Sequence, residues 1–396
     1  AAEELAFILR YQHPDNGMIW HEMSQSAGFL DWAGDYPYMY VHVDIAFDFI
    51  SVLGEYLRAS GDHAFLHRHW PAILKAYRYC VSTLDPDDGL PRVPADKMSA
   101  NEQDRLTDEL TLSAAWVEAA SAMSGLAEAY GDAGLARAAD EAAGRARKSL
   151  RARYRDEVGQ RWVSGFTHAG KAAESTSPAD LAAIRSGAAT AAEAEATLRQ
   201  LSSPAYLTAW GLRSRPETAA DYDPEAYSRG SVWGLGTAMA AETLWREGRA
   251  EQAATLWRSL VSWADADSPG DLHEVMRGDR PEPQRESVPE QTWSSAAFLS
   301  AAIHGMLGLD GDARAKRLRF APRPPAGWNH LDVDNVRLGD GRIDLHWRRH
   351  ADRVDLEIEN RGAPFLLIWE QRGGGDAAPM VIEHQVGAGR TRLGTP

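Results

Sequence analysis

The connections between the helical stretches of this chain alternate between short and long, and that alternation restricts the fold more than any single element does. Apolar residues at three- and four-residue spacing in Ala-rich surroundings predict helices over about 1–12, 40–60, 64–83, 109–130, 133–154, 189–200, 232–247, 249–264 and 290–307. Three joins are short and carry glycine, the residue that most readily adopts a left-handed helix cap: Gly61-Asp62, Gly131-Asp132 and Gly248. The others, 13–39, 84–108, 155–188, 201–231 and 265–289, are long. Antiparallel helix hairpins then put the short turns at one end and gather the long loops at the other, the arrangement of a mostly α, (α/α)6 toroid. Long loops in a compact domain usually carry function, so the loop-rich end is where an active site is expected.

Near residue 310 the apolar period changes from helical spacing to two. LDVDNVRL, RIDLHWRR and RVDLEIEN alternate apolar with polar residues and are separated by turn-forming GDG and HAD, the pattern of antiparallel strands with one buried face. The Pro-rich stretch AKRLRFAPRPPAGW makes the crossover, with Leu318, Phe320 and Trp328 spaced through it for packing. The expected division is a helical domain over 1–312 and a small C-terminal β-domain, sandwich-like and structural in role, over 313–396.

Composition excludes several functions. With 57 acidic and 42 basic side chains the net charge is −15, which opposes nucleic-acid binding. One cysteine, Cys80, rules out an internal disulfide framework and every multi-cysteine metal site. No run approaches the roughly 20 apolar residues of a membrane span, and AAEELAFILRYQ at the start has no basic leader, so a soluble protein is expected, cytoplasmic with the periplasm left open. No Gly-rich nucleotide loop follows a strand, so a Rossmann or P-loop reading has no support. Fourteen Trp and twelve Tyr are a large aromatic investment, suited to big cores or to sugar rings.

The long loops hold the candidate chemistry. The first supplies Trp20, Trp32, Tyr36, Glu22, Asp35 and Asp44, and aromatics beside carboxylates suit a saccharide, whose ring stacks on an indole while its hydroxyls bond carboxylates. Asp44 stands where the loop enters an apolar helix, able either to cap it or to face a pocket. The second loop carries Asp96, Glu102, Asp108 and Glu109, with Asp108 well suited to cap helix 109–130. In YSRGSVWG, two glycines beside Tyr227, Arg229 and Trp233 let backbone approach a ligand. Glu274 sits among Leu272, Val275 and Met276, where an apolar setting readies a carboxylate to act as a base; its plainer role is an ion pair with Arg277. His21-Glu22 lacks the second histidine of a zinc-protease helix, and His63, His67 and His69 read as a solvated face, so no metal is expected.

The runs HEMSQSAGFLDWAGDYPYMYVHVDIAFDFI, DPDDGLPRVPADKM, YSRGSVWGLGTAMAAETL and VPEQTWSSAAFLSAAIHGMLGLD, with the tail RLRFAPRPPAGW, resemble bacterial amylo-α-1,6-glucosidases and glycogen-debranching-like glycosidases. The resemblance follows most of the chain in order and extends to glucoamylases, which share the six-hairpin toroid. It implies an inverting hydrolase of α-glucosidic bonds in oligo- or polysaccharides, working with a carboxylic acid and a carboxylate base and without metal or organic cofactor. In it Asp96 of PADKM is the general acid, Glu274 of LHEVMRGD the general base, and Glu109 a carboxylate lining the sugar subsite. Asp44 and the Tyr227, Arg229 and Trp233 segment bind substrate. The Trp expected before the acid is absent, which leaves Asp108 and Glu109 as alternative acids. The resemblance also implies a first toroid helix and an N-terminal β-domain upstream of this chain. Competing readings are another toroid glycosidase, acting on trehalose, a glucosylglycerate or a rhamnoside, and a non-catalytic saccharide-binding protein. A toroid sugar epimerase needs a histidine pair in its pocket, which His21, His168 and His273 do not suggest.

Overall fold

A computed structural model describes residues 1–22, 39–102, 104–267, 269–371 and 379–395. Among the described residues it holds ten α-helices, followed by a strand-rich tail. The chain divides into two compact units, residues 1–57 with 62–203, and residues 58–61 with 204–396. Among the described residues no helix is long and apolar enough to cross a membrane.

The first unit contains α1 (Ala2–Arg10), most of α2 (Ile45–Ser60), α3 (His63–Ser82), α4 (Leu110–Tyr130), α5 (Ala133–Tyr154), α6 (Ser177–Arg185) and α7 (Ala191–Leu201). Its turns form as their residues dictate. Gly131 caps α4 in the left-handed region at φ 101°, and the Asp132 side chain accepts from Leu135 N to start α5. Between α2 and α3, Gly61 has φ +67° and Asp62 accepts from Phe65 N at 2.9 Å. Trp116 of α4 is 1% exposed and is met edge-on by Phe47 of α2 and face-on by Tyr77 of α3. Burial of one such ring stabilises the unit by roughly 1.5–3 kcal/mol. Where α2 crosses α4, a Cβ on Gly54 would lie 2.8 Å from that of Ala122, so only glycine permits the approach.

The second unit contains α8 (Gly234–Arg246), α9 (Ala250–Ser259) and α10 (Thr292–Ser300), then two four-stranded sheets. One sheet orders its strands as Met380–Val386, Phe365–Gln371, Arg317–Phe320 and Asp310–Asp312. The other orders His330–Leu338, Gly341–Arg349, Val354–Asn360 and Gly389–Thr395. Alternate side chains from both meet in one core that includes Trp347 and Trp369, each fully buried.

Several expectations need correction. The tail is not purely antiparallel, because Arg317–Phe320 runs parallel to Phe365–Gln371. The chain between them first builds strands of the other sheet, and a return of that length can re-enter in the same direction. Helix α6 falls inside the stretch 155–188, where a long connection is expected. The expected helices 249–264 and 290–307 each change pitch, into a 3-10 turn at Leu260–Asp265 and a π turn at Ala301–Met306. The long connections are also tied down by short ladders, Leu106–Glu109 with Gly165–Thr167 and Val232–Trp233 with Val275–Met276 among them.

Candidate active site

The candidate residues fall into two groups, one in each unit. Trp32, Asp35 and Tyr36 lie outside the described residues.

In the first unit the loop carrying Asp96 is held by backbone bonds from Met98 N to Val41 O and from Val43 N to Met98 O, both 2.9 Å, which lay it against the residues entering α2. Asp96 itself is 78% exposed, with Lys97 Nζ at 3.4 Å. Glu109, at the N-terminus of α4, is 2% exposed and accepts from Thr111 Oγ1 at 3.3 Å. Burial, reinforced by the nearby charge of Asp44, pushes its pKa up to about 8, so it is largely neutral at pH 7. Asp108 does not cap α4. It belongs to strand Leu106–Glu109, which turns its carboxylate to Arg153 Nη2 at 2.7 Å and Arg92 Nε at 3.8 Å. Strand geometry sends adjacent side chains to opposite faces, so Asp108 and Glu109 meet different surroundings.

Asp44 is 13% exposed, and its Oδ1 lies 3.4 Å from His42 Nδ1. On the other edge of that ring, Nε2 is 3.2 Å from Glu102 Oε1, and the ring of His21 stacks on it at 3.9 Å. Burial opposes the charged form of His42, yet the two flanking carboxylates prevail and raise its pKa to about 9. Burial and the neighbouring His42 charge lower that of His21. Sequence reasoning gave no histidine pair here, because His21, His42 and Glu102 come from three separate stretches and no spacing rule links them. Trp20 donates its indole N–H to Ile8 O at 3.0 Å and meets Phe7 edge-on, so it fastens α1; Glu22 is exposed.

In the second unit Glu274 is 6% exposed and accepts from the Tyr227 hydroxyl at 2.7 Å. Its backbone is fixed on both sides, with its N–H donating to Val288 O at 2.9 Å and its carbonyl accepting from Gly234 N at 3.1 Å. Trp233 donates Nε1–H to Tyr227 O at 2.7 Å and packs edge-on against that ring at 4.4 Å. The half-buried Arg229 lies in the same segment. Arg277 does not take Glu274 as its partner. It bonds Asp279 at 3.0 Å and Glu225 at 2.7 Å. The two stretches pass so closely that a Cβ on Gly278 would lie 2.0 Å from the Gly230 carbonyl oxygen. Tyr227, Trp233 and Glu274 thus form one bonded cluster, a nearly buried carboxylate held by a phenol beside an indole.

Within residues 92–294 the chain carries a glycoside hydrolase domain. The chain belongs to the mannosylglycerate hydrolase MGH1-like glycoside hydrolase domain family, whose sequence model matches residues 92–294, just over half of it. The GH63 mannosylglycerate hydrolase from Thermus thermophilus shares the fold at 17% identity, covering 76% of this chain and 87% of its own. The TM-score is 0.58 for its complex with glucose and 0.56 for that with Tris and D-glycerate. The GH78 family rhamnosidase of Bacillus sp. GL1 is 19% identical over 81% of this chain, with a TM-score of 0.63. This chain spans about a third of that rhamnosidase, 32% of its length. No curated protein sequence matches the chain.

Proposed function

We propose that the chain hydrolyses a small glycoside in which a hexose is joined to a hydroxy acid such as glycerate, with a rhamnoside as the second candidate substrate. The family match over residues 92–294 carries this reading, because that one span includes Asp96, Glu109, Tyr227, Arg229, Trp233 and Glu274. The likeness to a mannosylglycerate hydrolase over most of both chains supports it further. These relatives favour the glycosylglycerate and rhamnoside classes over α-1,6-debranching, to which none of their names refers.

In this reading residues 1–312 form an (α/α)6 toroid and 313–396 a structural β-domain. Glu274 removes a proton from the attacking water, and its bond from Tyr227 leaves one carboxylate oxygen to do so. The proton for the glycosidic oxygen comes from Asp96, whose exposed carboxyl is free to reach a substrate, while the neutral Glu109 donates a hydrogen bond to a sugar hydroxyl. The stereochemical outcome is inversion, which requires acid and base to stand about 6.5–9.5 Å apart with the water between. Asp44, Arg229 and Trp233 bind the sugar. No organic cofactor or metal takes part in this bond cleavage.

The test is proton NMR of the anomeric signals during incubation with mannosylglycerate, glucosylglycerate, an aryl rhamnoside and isomaltose, for wild type and Glu274→Gln. Inverted sugar released from a glycosylglycerate, and none from the variant, is expected. Turnover of isomaltose alone returns the debranching reading, and turnover of none of them leaves a saccharide-binding protein.

A further inference from the structure

His21, His42 and Glu102 each offer one ligand atom, and these atoms all lie within 4.8 Å of one another. The three arrive from separate stretches: His21 follows α1, His42 precedes α2, and Glu102 lies in the loop leading to strand Leu106–Glu109. His42 is 3% exposed, so its ring orientation is set by packing. Its Nδ1 faces Asp44 Oδ1 at 3.4 Å and its Nε2 faces Glu102. Among the described residues, Nδ1 of His21 is buried without a hydrogen-bond partner, and Nε2 of His42 meets only the Glu102 carboxylate at 3.2 Å. A buried ring nitrogen is costly to leave unpartnered, which marks the Nδ1 edge of His21 as a place where a further group is received.

A carboxylate behind one ring nitrogen, with the other nitrogen turned toward further ligand atoms, is the arrangement that orients a metal-ligating histidine, fixing its tautomer and raising its basicity. Two imidazoles and one carboxylate suit a first-row divalent ion and leave a coordination position for water. We propose that His21, His42 and Glu102 bind a divalent cation of the zinc type, with Asp44 as the outer carboxylate that orients His42. The near-parallel rings, 21° apart, close on the ion by rotation of the half-buried His21 ring, which has more freedom than His42. Bound there, the ion ties the residues entering α2 to the loop between Met98 and Leu106, adding to the His42–Met98 bridge that already joins them. Its role is to hold Asp44 and the loop bearing Asp96 in register, and it takes no part in bond cleavage.

The experiment is titration of the metal-free chain with zinc chloride by calorimetry, together with metal analysis after dialysis and cobalt substitution read by its visible ligand-field bands. Wild type is expected to retain one ion and to show the cobalt bands. Glu102→Gln and His21→Gln change partly exposed residues, keep the fold by circular dichroism, and should each weaken binding at least tenfold. Zinc should also raise the Tm of wild type and leave that of Glu102→Gln unchanged. Equal binding by wild type and both folded variants, or uptake of no ion by wild type, overturns the proposal.

Discussion

The hydroxyl of Tyr227 donates to Oε1 of Glu274 at 2.7 Å, joining two residues 47 positions apart in sequence. The same Tyr227 is fixed through its carbonyl by the indole of Trp233, so the orientation of Glu274 depends on an aromatic pair as well as on its own backbone. Arg277, the nearest cation in sequence, is drawn away by Glu225 and Asp279. Glu274 therefore keeps a neutral partner, and a neutral partner leaves a carboxylate more reactive than an ion pair does.

Removing that hydroxyl in Tyr227→Phe deprives a nearly buried carboxylate of a hydrogen bond whose loss costs about 1.5–3 kcal/mol. Steady-state kinetics should show kcat/KM reduced by roughly ten- to a hundredfold, since about 1.4 kcal/mol is tenfold. An unchanged kcat/KM would separate Tyr227 from the chemistry.

The two acidic candidates of the first unit respond differently to substitution. Asp96→Asn should lower turnover of a glycoside with a poor leaving group by about 10²–10⁴-fold while sparing one with a dinitrophenyl leaving group, because that group departs without a proton. Glu109→Gln keeps a neutral hydrogen-bond donor and should retain activity within roughly tenfold. The reverse pattern would make Glu109 the acid.

Glu109 also couples stability to pH. Its folded pKa of about 8 lies above the ordinary glutamate value of 4.5, so the folded chain holds this proton more tightly than the unfolded one. Its contribution is fully present below pH 4.5 and is lost as pH rises through 8. Urea unfolding should show stability falling across that window at a limiting slope of about 1.4 kcal/mol per pH unit from this group. In Glu109→Gln that component disappears, and a curve that overlays wild type at every pH contradicts the assignment.

Asp108 is 2% exposed and bonds Arg153, which makes it a fastening between strand Leu106–Glu109 and α5. Arg153 remains 38% exposed, and water takes over part of the lost interaction. Asp108→Asn should accordingly lower unfolding free energy by about 1–3 kcal/mol while leaving kcat close to wild type. A large fall in kcat with unchanged stability would place Asp108 among the reacting groups.

Sequence carried most of the helical framework because the hairpins obey local rules: Gly131 and Asp132 end one helix and begin the next with no help from distant residues. The switch to strands near residue 310 was equally legible, since alternation of period two survives in β-strands such as Val354–Asn360. Helix α6 was hidden by Pro178, which reads as a breaker and here occupies the first turn, where its missing N–H costs nothing. The cap role expected of Asp108 failed because a strand, fixed by pairing with Gly165–Thr167, runs up to the helix start and turns that side chain toward Arg153. Glu274 was found from its apolar neighbours, but its phenol partner and the packing of His21 on His42 are long-range contacts that periodicity does not encode.

The anchoring of Glu274 has a consequence for how such a chain diversifies. Val232–Trp233 pairs with Val275–Met276, Gln284 N returns to Val275 O and Arg277 N donates to Glu282 O, so the hairpin tip from Asp279 to Pro281 lies beyond the last backbone bond between its two arms. Insertions or exchanges at that tip leave the bonds that fix Glu274 in place. A lineage can therefore vary a few surface residues of this hairpin while the surroundings of Glu274 are kept.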